Sequence, residues 1–218
     1  MKRFIITTSI LLSGFVALVG ILLTLRYTYN VYLVHRYNQN DYYVSTRPLE
    51  IFNIPESYVV HYNKGNMLYQ RMEYEEAIES YDKALRWYVP EKKECLIRIN
   101  KSLAMVKTVE YDYLNPTLDT IDDTIAVLEK ARDNLLEKGC ATEDFKGHNA
   151  DADTLRDEIQ KMIDQLQQEK EQQEQEQQNQ QNQQNQNGQG QSQNNSGGGG
   201  GESESSSDNN GGGGGESE

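Results

Sequence analysis

The stretch that decides the fold is residues 58–90, YVVHYNKGNMLYQRMEYEEAIESYDKALRWYVP. It contains two short helical patterns, separated by polar residues that allow the chain to turn back on itself. Small residues occur where two antiparallel helices would cross at short distance, at Gly65, Ala77 and Ala84. Large residues fill the positions between them, at Leu68, Ile78, Tyr81 and Leu85. A glycine inside a helix costs about 1 kcal/mol relative to alanine, so Gly65 indicates a close helix crossing.

This spacing of small and large residues resembles the tetratricopeptide repeat, a helical hairpin whose copies stack side by side. The match has departures: the first-helix tryptophan position is His61, the leucine before the glycine is Lys64, and the closing proline arrives one residue late at Pro90. A helical hairpin of another all-α fold is the alternative interpretation. The resemblance implies a groove that binds other proteins and no chemistry, so we expect a protein that is not an enzyme and needs no cofactor.

A second, weaker copy of the pattern follows the first. Its matching positions are Asn100, Ser102 and Met105 in one helix, and Ile125, Leu128, Ala131 and Arg132 in the next. Ten extra residues separate these helices, around Tyr111 to Asp119, with Asn115 and Pro116 breaking the helix. The insertion is either a functional loop or a tolerated surface insertion.

A fifth helix is predicted after the second copy. Apolar residues recur there at i, i+3 and i+4 spacing, at Ala152, Leu155, Ile159, Met162, Ile163 and Leu166. We expect Asp153 to be its N-cap. Stacked repeats leave an apolar end face, and this helix would cover it. Residues 58–166 are therefore predicted to form a tetratricopeptide-like domain of two hairpins and a capping helix.

Ahead of this domain lies a charge-free run of 22 residues, Phe4 to Leu25. As a helix it spans about 33 Å, enough for a bilayer core of about 30 Å. Residues 1–37 are therefore predicted to be a single transmembrane anchor with an aromatic juxtamembrane segment. A cleaved signal peptide is the alternative, but the run is long and no small-residue cleavage site follows it. Basic residues flank both ends, and the N-terminal position of the anchor favours a domain outside the cytoplasm.

Two segments lack the pattern of a packed domain. Residues 38–57 have no sustained helical period, so we predict a linker that lifts the domain off the membrane. Residues 167–218 carry nine acidic residues and one lysine, or −8 of the formal −13, among Gln, Asn, Gly and Ser. With little apolar surface to bury, this tail is predicted to be disordered apart from some helical continuation near Glu169. The fold class is all-α, with a transmembrane helix before the domain and a disordered tail after it.

The concave face of the predicted domain is the candidate binding site. In the tetratricopeptide geometry the first helix of each repeat lines this face, which implies a groove formed by Tyr62, Asn66, Tyr69, Gln70, Ile99 and Leu103. A polar and aromatic patch then lies beside an apolar one, and an extended or helical segment with apolar anchors fits it. In the alternative interpretation, the chain's own linker covers Ile99 and Leu103.

A narrower resemblance rests on three short stretches, ECLIRIN at 94–100, GCA at 139–141 and GHN at 147–149. They are similar to bacterial membrane-anchored tetratricopeptide proteins that accompany MoxR-type ATPases and von Willebrand A-domain proteins. This resemblance implies assembly work on envelope complexes, with a von Willebrand A-domain or MoxR-system protein as a partner. The body of the chain has no basic cluster beyond the membrane flanks, which argues against nucleic acid as a ligand.

An enzyme or metal-binding protein of the envelope is the alternative class of function. Cys140 and His148 have the chemistry of a nucleophile and a base, but no third orienting group is recognisable. Asn149, Asp151 and Asp153 alternate like the start of a calcium loop, although the turn glycine and the bidentate glutamate of that motif are replaced. The dispersed histidines and cysteines lack the spacing of a zinc site. We therefore assign no catalytic or metal-binding residue.

The two cysteines predict a disulfide. Cys95 lies at the start of the third helix and Cys140 just past the end of the fourth, and those two ends are neighbours in an antiparallel hairpin. The bond requires an oxidising compartment, which agrees with a domain outside the cytoplasm. Two free buried thiols are the alternative, and a cytoplasmic domain would require them.

Overall fold

The computed structural model describes residues 1–50 and 57–192, and all regular secondary structure within these ranges is helical. The all-α prediction is confirmed. The helices are α1 (Lys2–Asn38), α2 (Arg47–Glu50), α3 (Ser57–Gln70), α4 (Tyr74–Leu85), α5 (Glu91–Thr108), α6 (Glu110–Leu114), α7 (Ile121–Leu136) and α8 (Ala150–Ser192), with a 3-10 turn at Glu137–Gly139. Residues 51–56 of the predicted linker and residues 193–218 of the predicted tail lie outside the described residues.

The first helix, α1, contains the predicted apolar run and continues without a break to Asn38. It is long and apolar enough to cross a membrane, and its most apolar window is not buried against the rest of the described chain. Beyond Leu25 one side of the helix is buried. Leu33 is 3% exposed and clusters with Leu49 and Val60. The C-terminal end of α1 therefore packs against the helical domain.

The described part of the predicted linker packs against α1. The chain turns at Asn40, whose φ of 61° is in the left-handed region, and then runs back along α1. There the Tyr29 hydroxyl donates a hydrogen bond to the Ser45 carbonyl at 2.8 Å. Leu49 of α2 is 1% exposed. Burial of this apolar side chain favours a returning segment over an extended spacer.

The first hairpin, α3 and α4, closes around Gly65. A Cβ atom added at Gly65 would lie 2.5 Å from Cε1 and 2.7 Å from Cδ1 of Tyr81, so the ring occupies the space of a side chain. Ala77 and Ala84 of α4 are fully buried. The small residues thus lie at the helix crossing, where their spacing predicts them.

In the second hairpin, a hydrogen bond joins α5 to α7 where the two helices cross. Helix α5 begins at Glu91, earlier than the sequence predicts. Ser102 occupies the position of the first-hairpin glycine, and its hydroxyl donates to the Ala131 carbonyl at 2.7 Å. The insertion contains α6, from which the Tyr113 hydroxyl donates to the Gln165 side-chain oxygen of α8 at 3.0 Å. The insertion therefore contacts the capping helix.

A buried polar network joins α5 to α7. The Arg98 side chain is almost fully buried and pairs with Glu94 and Glu137, each at 2.7 Å. The Asn134 side-chain amide donates to the Arg98 carbonyl at 2.9 Å and to the Ser102 hydroxyl at 2.8 Å. Because a buried guanidinium is costly unless it is paired, these bonds hold the second hairpin in one register.

The capping helix, α8, covers the core of the second hairpin. Its buried apolar residues are Ala152, Ile159, Ile163 and Leu166. The N-cap is Asn149 and not Asp153, because the helix begins at Ala150. The Asn149 side-chain oxygen accepts hydrogen bonds from the backbone N–H groups of Asp151 at 2.8 Å and of Ala152 at 3.2 Å.

Helix α8 is longer than the sequence predicts. It extends to Ser192, well beyond the expected helical continuation near Glu169. Glutamine and glutamate are good helix formers, and no proline interrupts them. Lys170 anchors the first part of this extension by pairing with Asp122 of α7 at 2.7 Å. The end of α8, from Gln175, belongs to a second compact unit, separate from the unit formed by residues 1–174.

Candidate functional site

A cavity of about 320 Å³ lies on the face where the sequence predicts a groove. Five of the six predicted groove residues line it, namely Tyr62, Asn66, Tyr69, Gln70 and Leu103. Three further residues complete the lining, namely Tyr37, Tyr81 and Asn100. The sixth predicted residue, Ile99, packs against the apolar core of the second hairpin. We call this space the α1–α3–α5 cavity, after the helices that supply most of its walls.

Hydrogen bonds fix the floor of the α1–α3–α5 cavity. The Asn66 side-chain oxygen accepts from the Tyr81 hydroxyl at 2.8 Å and from the Asn100 amide at 2.9 Å. The same Asn100 amide lies 3.2 Å from the Tyr62 hydroxyl. This network links α3, α4 and α5, so the polar groups of the floor are held in place before any ligand binds.

The lining residues of the α1–α3–α5 cavity are uncharged. Burial raises the pKa of the Tyr81 hydroxyl above its ordinary value, and neighbouring tyrosines act in the same direction. Burial also raises the pKa of Tyr69. Both hydroxyls are therefore neutral at physiological pH. A charged ligand group would lose its hydration here without gaining a counter-charge from the lining, so the cavity favours aromatic, amide or hydroxyl groups.

The C-terminal end of α1 forms one wall of the cavity. Tyr37 lines it, and a second cavity of about 180 Å³ between α1 and α3 is bordered by Leu33, Val34 and Met67. Leu103 lines the α1–α3–α5 cavity, so the described part of the linker does not cover it. In the described residues, the element beside the predicted groove is therefore α1 and not the linker.

Cys140 has no free thiol. It forms a disulfide with Cys95, the pairing that the sequence predicts, and both residues are buried. The His148 ring nitrogen Nδ1 lies 2.8 Å from a carboxylate oxygen of Glu91. A nucleophile at Cys140 would need a thiolate, so the catalytic interpretation of Cys140 and His148 is wrong for this oxidised form.

Two of the three candidate calcium ligands have structural roles, and the third is exposed. Asn149 caps α8. Asp153 is buried, and its carboxylate accepts backbone N–H groups of Thr142 at 2.7 Å and Gly147 at 3.1 Å. Asp151 is exposed. In the part of the chain that the structure describes, no group of three or more His, Cys, Asp or Glu side chains could hold a metal ion.

Three residues of the α1–α3–α5 cavity were not predicted from the sequence. Asn100 and Tyr81 could have been found, because Asn100 begins the second copy of the repeat pattern and Tyr81 is a core position of the first. Tyr37 had no such signal. It reaches the cavity only because α1 extends past the apolar run and packs on α3, a contact between elements far apart in the sequence.

The stability of the folded chain is expected to depend on pH through His61 on α3. Burial lowers the pKa of His61 below its ordinary value, while the neighbouring Glu50 carboxylate acts in the opposite direction. The unfolded chain therefore binds this proton more tightly than the folded chain. Neutral His61 therefore contributes to the free energy of unfolding. This contribution is complete above the ordinary histidine pKa of about 6.5 and is lost as the pH falls below it.

We expect His61→Gln to reduce this acid-induced loss of stability. Thermal unfolding of the full chain from neutral to mildly acidic pH measures it. His35→Gln is the matched control, because His35 is exposed on α1. If wild type and both variants lose stability equally as the pH falls, His61 does not contribute.

The comparisons with known proteins agree with the first hairpin. The family model for the tetratricopeptide repeat matches residues 58–86, which include most of α3 and all of α4. No curated protein and no solved structure matches the chain. The chain therefore contains a tetratricopeptide repeat, a module that is typically non-catalytic and that indicates a role in protein–protein interaction.

Proposed function

We propose that this protein is a membrane-anchored, non-enzymatic assembly factor that binds a protein partner in the α1–α3–α5 cavity. The observation that carries the proposal is the convergence of Tyr62, Asn66, Tyr69, Gln70 and Leu103 on one cavity. These residues belong to the first helix of each hairpin, the helix that lines the binding groove in tetratricopeptide proteins. The matched repeat supports a protein as the ligand.

In this proposal α1 crosses the membrane once, and the helical domain lies outside the cytoplasm. The unburied apolar window of α1 supports the membrane span. The buried Cys95–Cys140 disulfide supports the location, because disulfides form and persist in oxidising compartments. The resemblance to envelope assembly proteins makes a von Willebrand A-domain or MoxR-system protein the first partner to test.

The chemistry of the cavity limits what the partner can present. Its lining is aromatic, amide and aliphatic, and without charge. An extended or helical segment of the partner would insert an uncharged side chain, with an aromatic or branched apolar group against the tyrosines. The Asn66 and Asn100 amides could then meet a backbone or hydroxyl group. A free carboxylate terminus would find no cationic side chain in the lining.

Truncating two cavity tyrosines is expected to weaken partner binding strongly. A photocrosslinking amino acid at exposed Gln70, introduced into the full chain in native membranes, would first capture the protein that occupies the cavity. The affinity for that purified protein should fall at least about 30-fold in Tyr62→Ala plus Tyr69→Ala, because truncating even one aromatic hot-spot residue costs about 2 kcal/mol or more.

Two further variants separate loss of binding from loss of folding. Gln70→Trp changes only an exposed residue at the cavity and should also block the partner. Tyr111→Ala removes an aromatic ring that is 76% exposed outside the cavity, and it should leave the affinity unchanged. Unaltered binding by both the double variant and Gln70→Trp would refute the cavity as the binding site.

A further inference from the structure

The loop between α4 and α5 exposes two large aromatic side chains among basic ones. Trp87 is 50% exposed and Tyr88 is 90% exposed. Arg86 precedes them, and Lys92 and Lys93 follow beside Glu91 at the start of α5. All four are exposed, and together they carry a net charge of +2. None of these residues lines the α1–α3–α5 cavity, so the proposed partner site does not account for them.

Helix α1 sets the height of the domain above the apolar run. The Asn63 amide of α3 lies 3.4 Å from the Asn30 side-chain oxygen of α1, and Tyr37 and Gln70, seven residues further along each helix, line the same cavity. The two helices therefore run in the same direction, side by side. Six residues of helix separate Asn63 from Ser57, or about 9 Å. The start of α3 thus lies level with Thr24, at the end of the charge-free run.

The α4–α5 loop lies at this same level. Helix α4 is antiparallel to α3, with the Tyr74 and Tyr69 ring centroids 5.4 Å apart at one end. Further along, the Ser80 hydroxyl donates to the His61 carbonyl at 3.0 Å. Continuing α4 from these contacts brings Trp87 beside the start of α3. Trp87 and Tyr88 therefore project from the end of the domain that faces the membrane surface, at the depth where the apolar run of α1 ends.

We propose that this loop is a lipid-binding surface, and that its ligand is the anionic headgroup region of the bilayer that α1 spans. Trp87 and Tyr88 insert between the headgroups, the region that these amphipathic side chains prefer. Arg86, Lys92 and Lys93 bind the lipid phosphates. This inference rests on the proposed membrane span of α1. It gives the domain a second attachment to the membrane, so that the domain stands in one orientation.

The second attachment also fixes the position of the partner site. Tyr62 to Gln70 extend away from the start of α3 by up to 13 residues of helix, or about 20 Å. The α1–α3–α5 cavity is therefore held close to the headgroups, within reach of a partner segment that emerges from the same membrane.

Trp87 is the only tryptophan of the chain, and its fluorescence tests the inference directly. The full-length protein is reconstituted into vesicles of phosphatidylcholine and phosphatidylglycerol. The vesicles contain no spin label, lipids with a quenching spin label just below the headgroup, or lipids with the label at the chain centre. Two reporter variants serve as references. Trp87→Phe with Leu11→Trp reports on the middle of the apolar run, and Trp87→Phe with Tyr111→Trp reports on α6 at the opposite end of the domain.

We expect Trp87 to be quenched at least about twofold more strongly than the Tyr111→Trp reporter, because only the loop reaches the interface. Replacing Arg86, Lys92 and Lys93 by glutamine should reduce that quenching. One outcome is that chain-centre spin labels quench the Leu11→Trp reporter, while Trp87 is quenched no more than the Tyr111→Trp reporter. This outcome would support the membrane span of α1 and refute the lipid-binding loop. If neither the Leu11→Trp reporter nor Trp87 is quenched, the membrane span fails and the loop proposal fails with it.

Discussion

Removing the Cys95–Cys140 disulfide is expected to lower the free energy of unfolding of the helical domain by about 4 kcal/mol in the chain-entropy account. The two cysteines are 45 positions apart in the sequence. The bond therefore restricts a long loop of the unfolded chain, and it joins the start of α5 to the segment after α7. Both residues also belong to the apolar core of the second hairpin. Reduction would therefore leave two thiols buried in that core and not exposed to solvent.

Urea unfolding of the full chain in detergent micelles, followed by helical circular dichroism, measures this effect. Two samples should show the loss of stability. One is the wild type with reductant, and the other is the double variant Cys95→Ala plus Cys140→Ala without reductant. The double variant should not respond further to reductant, which controls for effects of the reductant itself. An unchanged unfolding curve for wild type with both thiols demonstrably free would refute a stabilising role.

The same bond tests the proposed orientation of the chain. In native membranes, the tryptic peptides that contain Cys95 and Cys140 should be found linked by mass spectrometry under non-reducing conditions. Recovery of both cysteines already accessible to alkylation before reduction would count against a domain outside the cytoplasm, because the reducing cytoplasm keeps thiols free.

The features that sequence reasoning predicted well depend on contacts within one hairpin. Gly65 and Tyr81 are neighbours because a short turn brings α3 against α4. Cys95 and Cys140 are neighbours because α5 and α7 are antiparallel. In both cases, helix lengths and turn positions alone bring the residues together, so their spacing in the sequence carries the information.

The features that sequence reasoning missed depend on competition between interactions. Asn149 and Asp153 can both cap a helix, and the choice is decided by the two loop N–H groups that the buried Asp153 carboxylate accepts. The helix beyond Glu169 has almost no apolar face, and its glutamine and glutamate residues form helix by intrinsic propensity. Tyr37 enters the candidate site through packing of α1 on α3, and no periodicity of the sequence reports that contact.

Gly65→Leu is expected to destabilise the first hairpin by about 3 kcal/mol, the upper end of the usual cost of overpacking. A Cβ atom alone would lie within 2.9 Å of three ring atoms of Tyr81, which is 1% exposed and packs in the core of the first hairpin. Moving the ring would also break the 2.8 Å hydrogen bond from the Tyr81 hydroxyl to Asn66. Thermal and urea unfolding of the full chain measure the loss.

Gly20→Leu is the matched control, because a Cβ atom at Gly20 in α1 meets nothing within 4 Å. It should leave the stability of the domain unchanged, and equal stability of wild type and Gly65→Leu would show that Gly65 is not at a tight crossing.

The origin of the cost can be assigned to the Tyr81 ring by a double-mutant cycle. Gly65→Ala should destabilise the wild-type chain, although alanine is preferred over glycine inside a helix by about 1 kcal/mol. Tyr81→Val removes the ring atoms that the new Cβ would meet. In that background the same Gly65→Ala change should become neutral or stabilising, because only the helix preference is left. A Gly65→Ala effect of the same sign and size in both backgrounds would mean that backbone strain, and not the ring of Tyr81, excludes side chains at this position.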